Sequence, residues 1–398
     1  MVELLPFIVK FKYIIIFYLV VIALVYIYRK RIDVQAKIIF LFRMKWGLGW
    51  MDKYGKKYRE WIILLGYIGT GLGFIGMIVI TIALLYNLVQ LMINPVAQPG
   101  VGLVLPGLSV PGFGVIPFWH WLIAIFMIAL VHEFAHGVVA RAHDIKVKNT
   151  GIVLLGPILG AFVEPDEKSL RKKSDVTQYS VLAAGAFANV ILAVVAILIL
   201  NLAIIPGSVA LEDKIIDPLG MSFESYVSDD LPFAKAGIMP KSVITGLNDV
   251  KTNTAADFMQ EVFKFKSGDK VSIIADGKSY EVTLAEHPDA SSRPYLGILN
   301  AKTEGVVKEE YNNIWYTGLY SVLVWLKSFL LLLYILSFGI GLFNLLPLPI
   351  VDGGRMAQVF LHKLKGAEKG EMRYRKISLF LLLVLVLNLV YPWLLKLF

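Results

Sequence analysis

At 398 residues the chain could hold two or three soluble domains, yet 57% hydrophobic residues, 17% charged residues and a mean hydropathy of +0.68 place most of it in lipid. With no cysteine, disulfides, thiolate catalysis, zinc ribbons and iron–sulfur ligation are excluded, so a transition metal would need His, Asp or Glu. The formal charge of +9 gathers in short loops beside apolar runs, and no nucleic-acid partner is expected.

An apolar stretch at 13–28 is followed by Arg29-Lys30-Arg31, where a cleaved signal peptide would need small residues, and so reads as a first membrane span. No Asp, Glu, Lys or Arg lies between Glu60 and Glu133, nor between Asp175 and Glu212. Each run exceeds the roughly 20 residues that cross a bilayer. Six spans are predicted, at about 8–28, 61–93, 116–141, 177–205, 328–346 and 377–395. Lys327 divides a longer apolar stretch, so the fifth is expected to begin near Ser328, with 311–326 partly in the interface. Apolar residues 150–163 are too short to cross and carry Gly156 and Pro157 mid-run, which suits a re-entrant β-hairpin, an interfacial loop being the other reading.

The segment 207–310 differs in kind. It carries net charge −6, leaving +15 for the remainder. A Thr254-capped helical pattern over 254–265, a hairpin signal at Asp276-Gly277 and a last strand at 295–298 suit a small β-rich module. Such a module is expected to be PDZ-like, taking up a peptide or a substrate terminus by strand addition, any other small α/β module being the second reading. Basic loops at 29–60, 141–175 and 351–376 fall on one side of six spans, and the acidic segment falls on the other. The positive-inside rule makes the former cytoplasmic and the latter extracytoplasmic, in a multi-pass cell-membrane protein. The expected fold is therefore a polytopic α-helical membrane protein with an inserted β-rich domain. Its parts are 1–60 (span and basic loop), 61–206 (membrane), 207–310 (PDZ-like) and 311–398 (membrane).

Chemistry concentrates at His132-Glu133-Phe134-Ala135-His136. Imidazoles four residues apart on a helix share a face and can chelate one Zn2+ ion, with Glu133 beside them to take a proton from water. No other formal charge lies in 61–140, and ionisable groups in a span cost at least about 2.5–3.5 kcal/mol, so the three residues read as functional. A third ligand is needed. Asp352, after the helix-breaking Pro347 and Pro349 and before a tight turn at Gly353-Gly354, is one candidate, and Glu164 is the other. His120, His143 and His362 read as an interface residue, a helix end and a loop.

His132-Glu133-Phe134-Ala135-His136, taken with Asn344, Pro347, Pro349 and Asp352-Gly353, resembles the site-2 protease family, in its PDZ-containing subgroup. The resemblance implies that His132, His136 and Asp352 bind zinc and that Glu133 is the general base. Gly185-Ala186-Phe187-Ala188-Asn189 resembles a further family element, implying that Asn189 borders the site and contacts substrate or oxyanion. It also implies that the 150–163 hairpin lends its edge to an unwound substrate, and that substrates are single-span membrane proteins. A transporter or channel with a metal or proton site, and an inactive membrane scaffold, are the alternative readings.

Overall fold

The computed structural model describes residues 4–35, 39–94, 100–102, 104–110, 113–155, 158–287 and 290–394. They fall into two compact units, 1–202 with 327–398, and 203–326. The first unit opens with helix α1 (Leu4–Ile27), strands β1 (Asp33–Gln35) and β2 (Ile39–Met44), and helices α2 (Leu48–Lys57) and α3 (Arg59–Ile93). A two-residue pairing of β3 (Ser109–Val110) with β4 (Gly114–Val115) precedes α4 (Phe118–Ala142). Strands β5 (Val147–Leu155) and β6 (Ile158–Pro165), helix α5 (Glu167–Arg171) and helix α6 (Asp175–Ile199) follow. The expected hairpin segment thus lies in β5 and β6, its turn residues 156–157 falling outside the described residues.

These strands make one four-stranded antiparallel sheet in the order β1-β2-β5-β6. β2 pairs along β5 from Ile39 opposite Leu155 to Met44 opposite Thr150, so the basic loop 29–60 is half sheet and half helix. Arg43 pins the sheet by bonding both Asp33 on β1 and Glu164 on β6. Met51 on α2 is buried in a cluster with Val139, Ala140 and Ile145, which fixes α2 on α4.

Beyond α6 the chain takes a π-helical turn over Leu200–Ile204 and continues as α7 (Ile205–Ile215). The widened turn precedes Pro206, which has no N–H to give and would crowd a carbonyl four residues back. The helix expected to end near 205 therefore persists to Ile215, and the second unit begins at 203 rather than 207. Its sheet runs β12 (Lys278–Thr283), β11 (Lys270–Ala275), β9 (Ile244–Leu247), β7 (Ile216–Ser222) and β16 (Lys302–Val307), with β10 (Val250–Lys251) beside β9. Short strands β8 (Ser225–Tyr226) and β15 (Ile298–Leu299) pair, as do β13 (Ala285–His287) and β14 (Ala290–Tyr295). The single strand expected over 295–298 is split by Gly297, whose φ of +76° turns the chain. Helices α8 (Pro232–Lys235) and α9 (Ala255–Val262) close the core, α9 through a complete capping box between Thr254 and Asp257. Met221, Phe223, Phe233, Ile244 and Phe258 are wholly buried there.

Helix α10 (Ile314–Phe343) runs unbroken through Lys327, its start capped by the Asn313 side chain, which accepts from the Trp315 and Tyr316 N–H groups. The break expected at Lys327 is absent because a lysine on a long stem keeps its charge outside without interrupting the helix. Accordingly the second unit extends to Leu326 rather than 310. Helices α11 (Asp352–Lys365) and α12 (Ala367–Leu394) complete the first unit. By length and composition, five helices among the described residues can cross a membrane, and α1 contributes a shorter apolar stretch, Phe11–Ile27.

Candidate metal centre and active site

Helix α4 carries the His-Glu-x-x-His segment on the side packed against α6, and both imidazoles are buried. His136 Nδ1 lies 2.7 Å from Val181 O on α6, so its N–H donates there and Nε2 is left bare. His132 Nδ1 lies 3.1 Å from the Asn189 amide, one helical turn beyond Gly185 on α6. Asn189 Oδ1 is buried without a partner, and turning the amide brings that oxygen to where it accepts from His132 Nδ1–H. That choice bares His132 Nε2 as well. Ser337 on α10 donates to the Asn189 carbonyl at 2.8 Å and ties the same turn of α6 in place.

The third group arrives from α11. Asp352 is not in a turn, as its Gly-Gly sequel suggested, but is the first residue of that helix. The glycines serve close approach instead. A Cβ at 353 would collide with the Leu345 carbonyl and one at 354 with the Leu348 carbonyl, so the first turn of α11 folds directly onto 344–348. Gly353 N–H donates to Asn344 O at 2.8 Å and fixes that fold. Asp352 Oδ2 is thereby placed 3.0 Å from His132 Nε2 and 3.2 Å from His136 Nε2, which are 3.1 Å from each other.

Three atoms that present lone pairs at these separations, with both imidazole protons committed elsewhere, repel one another unless a cation lies between them. The triangle suits one: tetrahedral zinc with ligands at about 2.0–2.1 Å keeps its ligand atoms about 3.3 Å apart. Gly185 allows it, because a Cβ there would overlap Nε2 of both histidines. Glu164, the rival third acid, is held elsewhere, 3.0 Å from Arg43 and 2.9 Å from Asn149.

Glu133 lies outside the triangle. Its Oε2 accepts from the Val163 N–H of β6 at 2.9 Å, and it lines a cavity of about 680 Å3 with Phe126, Leu130, Trp50, Val163 and Phe187. The other histidines stay apart from the cluster. His120 is buried beside Phe329, not at an exposed belt, and His143 is buried 3.3 Å from Ser180 Oγ. His362 sits inside α11, not in a loop, and contacts Glu371. Sequence reasoning missed the backbone partners, Val181 O and Val163 N–H, because no side chain marks them.

The model of peptidase family M50 matches residues 120–389, more than half of the chain. This chain belongs to peptidase family M50. As a member of a zinc metalloprotease family with several membrane-length helices, it is a multi-pass membrane metalloprotease by kinship. An uncharacterized protein of Methanocaldococcus jannaschii is 29% identical over 82% of this chain and 79% of its own length. A Clostridium perfringens protein, provisionally named a zinc metalloprotease, is 25% identical over 59% of this chain and 84% of its own. Among solved structures, the PDZ domain of an SdrC-like protein from Listeria monocytogenes is 21% identical, covering 20% of this chain and 85% of its own, with a TM-score of 0.18.

Proposed function

We propose that this M50 member is an intramembrane protease of the site-2 type, hydrolysing peptide bonds in the spans of single-span membrane proteins. The observation that carries the reading is the triangle of proton-free donors formed by His132, His136 and Asp352 inside a helix bundle. These three residues would hold one zinc ion, which when bound polarises a scissile carbonyl and acidifies a water. Glu133 takes the proton of the attacking water and returns it to the leaving amine. Asn189 and Val181 hold the two imidazoles in the tautomer that leaves Nε2 free, so Asn189 serves as a positioning residue. The substrate helix unwinds locally, since its own hydrogen bonds shield its peptide bonds, and lies along the edge of β6.

Charge distribution orients the chain in the cell membrane, with basic loops cytoplasmic and the acidic segment 207–310 extracytoplasmic. The β-rich unit acts as a PDZ-like module that takes up a peptide or substrate terminus. Cysteine labelling at position 270 from outside the cell supports this orientation, and labelling from the cytoplasm refutes it.

Zinc content and cleavage of a single-span substrate in detergent test the chemistry. Glu133→Gln keeps its zinc and loses about 10²–10⁴-fold in rate. Asp352→Asn loses zinc, whereas Glu164→Gln keeps it. Cleavage surviving in Glu133→Gln ends the proposed mechanism, and the opposite zinc pattern at 352 and 164 reassigns the third ligand.

A further inference from the structure

The bond between Glu133 and β6 links the catalytic helix to the strand along which the substrate is proposed to lie. β6 ends the sheet, with β5 on one side. Val163 stands opposite Thr150 in that pairing, yet its N–H donates 2.9 Å away to Glu133 Oε2, out of the β5–β6 ladder. Backbone groups alternate sides along a strand, so Ala161 presents its N–H and C=O to the same outer edge. The cavity of about 680 Å3 is lined by Met44 of β2, Gly151 of β5 and Ala161 and Val163 of β6, and by Leu130 and Glu133 of α4, so it borders the sheet where β6 meets α4. Ala161 and Val163 thus border open space, and one outward donor of β6 is already engaged by the general base.

A single N–H makes one good hydrogen bond. An extended chain paired with this edge needs the Val163 N–H for its own carbonyl, and the carboxylate needs it when the edge is bare. We propose that the Val163 N–H is an exchange point: it holds Glu133 in the free protein, and a substrate strand that pairs with β6 takes it over and releases the carboxylate for proton transfer. The inference rests on the protease reading above and deepens it, coupling the freeing of the base to the arrival of a correctly paired backbone. Water can also accept from the Val163 N–H; what a paired strand adds is a run of further edge bonds that holds the exchange in place.

The exchange makes Glu133 a competitor of the substrate, and competition is measurable as binding without turnover. The probe is a fluorescein-labelled single-span peptide of about 22 residues with a central Asn-Pro break, read by anisotropy in detergent with the full-length protein. Glu133→Gln keeps an acceptor oxygen for Val163, and Glu133→Ala has none, while both lose the general base and so cut only slowly. The peptide binds Glu133→Ala about tenfold more tightly than Glu133→Gln, the factor that one released hydrogen bond commands. Adding Val163→Pro, tolerated at an edge strand, weakens binding and removes the Gln/Ala difference. Ala161→Pro weakens binding on both backgrounds and leaves the difference intact.

Equal affinity of Glu133→Gln and Glu133→Ala overturns the exchange, and so does a difference that persists with Val163→Pro. If Val163→Pro does not fold, shown by absent zinc, the Gln/Ala comparison and the Ala161→Pro series still decide. The two readings fail differently. Wild-type protein that never cuts the peptide strikes the protease assignment, whereas cleavage lost in Glu133→Gln with no Gln/Ala difference in binding strikes the exchange alone.

Discussion

Buried polar groups are used in different ways in the two units. In the helical unit His132, His136, Asn189, Ser337 and Asp352 converge from α4, α6, α10 and α11, each contact joining two different helices. In the β-rich unit the buried interior is a cluster of apolar side chains, Phe223, Phe233, Ile244 and Phe258 among them, and the acidic and basic residues lie outside it. Lipid supplies little drive for helices to associate with one another, so small residues and hydrogen bonds must do the packing. Where those same residues also hold the chemistry, packing and function are one construction. The β-rich unit is held by burial of an apolar cluster, and its fold can be altered without touching a reactive group.

The largest effect expected from this contrast is at Gly185. A methyl group there would overlap the metal-facing nitrogens of both histidines, so Gly185→Ala loses zinc affinity beyond the roughly 10–100-fold typical of outer-sphere changes. Asn189→Leu, which removes the acceptor for His132 Nδ1–H, falls within that range, and Asn189→Asp, which keeps an acceptor, retains more. Bound zinc after dialysis against a graded chelator measures all three. Full zinc occupancy in Gly185→Ala would break the claim that α6 is both packing face and site wall.

A smaller, separable effect is expected in the β-rich unit. Phe258 on α9 is fully buried, and Phe258→Ala costs about 3–5 kcal/mol of that unit's stability. Limited proteolysis should open 216–307 while zinc content stays at the wild-type level. Loss of zinc with it would erase the distinction between the units.

The sequence made some of this plain and hid the rest for physical reasons. His132, Glu133 and His136 stand out in the sequence because charges are rare in spans and their spacing fits a metal, whereas Asp352 is one of two candidates, with Glu164, and is favoured through the family resemblance. The hairpin turn at Asp276-Gly277 and the Thr254 cap were legible because both are local. Strands β1 and β2 were not, since the Ile39–Met44 run lies in a loop whose ten basic residues dominate its reading, and its partner β5 is over a hundred residues away. Gly353 and Gly354 signal a turn by composition, but their role is to clear carbonyls brought near by the tertiary fold. The Val163 N–H has no letter in the sequence at all.

The smallest effect concerns the far end of the β5–β6 pair, where an exposed ion pair does what buried groups do nearer the triangle. Lys148 Nζ on β5 lies 2.7 Å from Asp166, which follows β6 and caps α5 by accepting from Ser169 N–H. The lysine bond first, and the Ser169 hydroxyl after it, hold the Asp166 carboxyl down to about 2, against about 3.9 in an unfolded chain. A depressed carboxylate stabilises the fold above the unfolded value and ceases to do so as pH falls through the folded one. Its contribution is therefore complete above about pH 4 and gone near pH 2. Lys148 is largely exposed, so water and salt screen the pair and the effect is slight. Amide exchange over 147–171 in wild type minus Asp166→Asn should show protection at pH 6 that narrows below about pH 4 and shrinks in high salt. A difference that does not change with pH or salt would mean that the helix cap, which an asparagine can also supply, and not the charge, ties the end of the hairpin to α5.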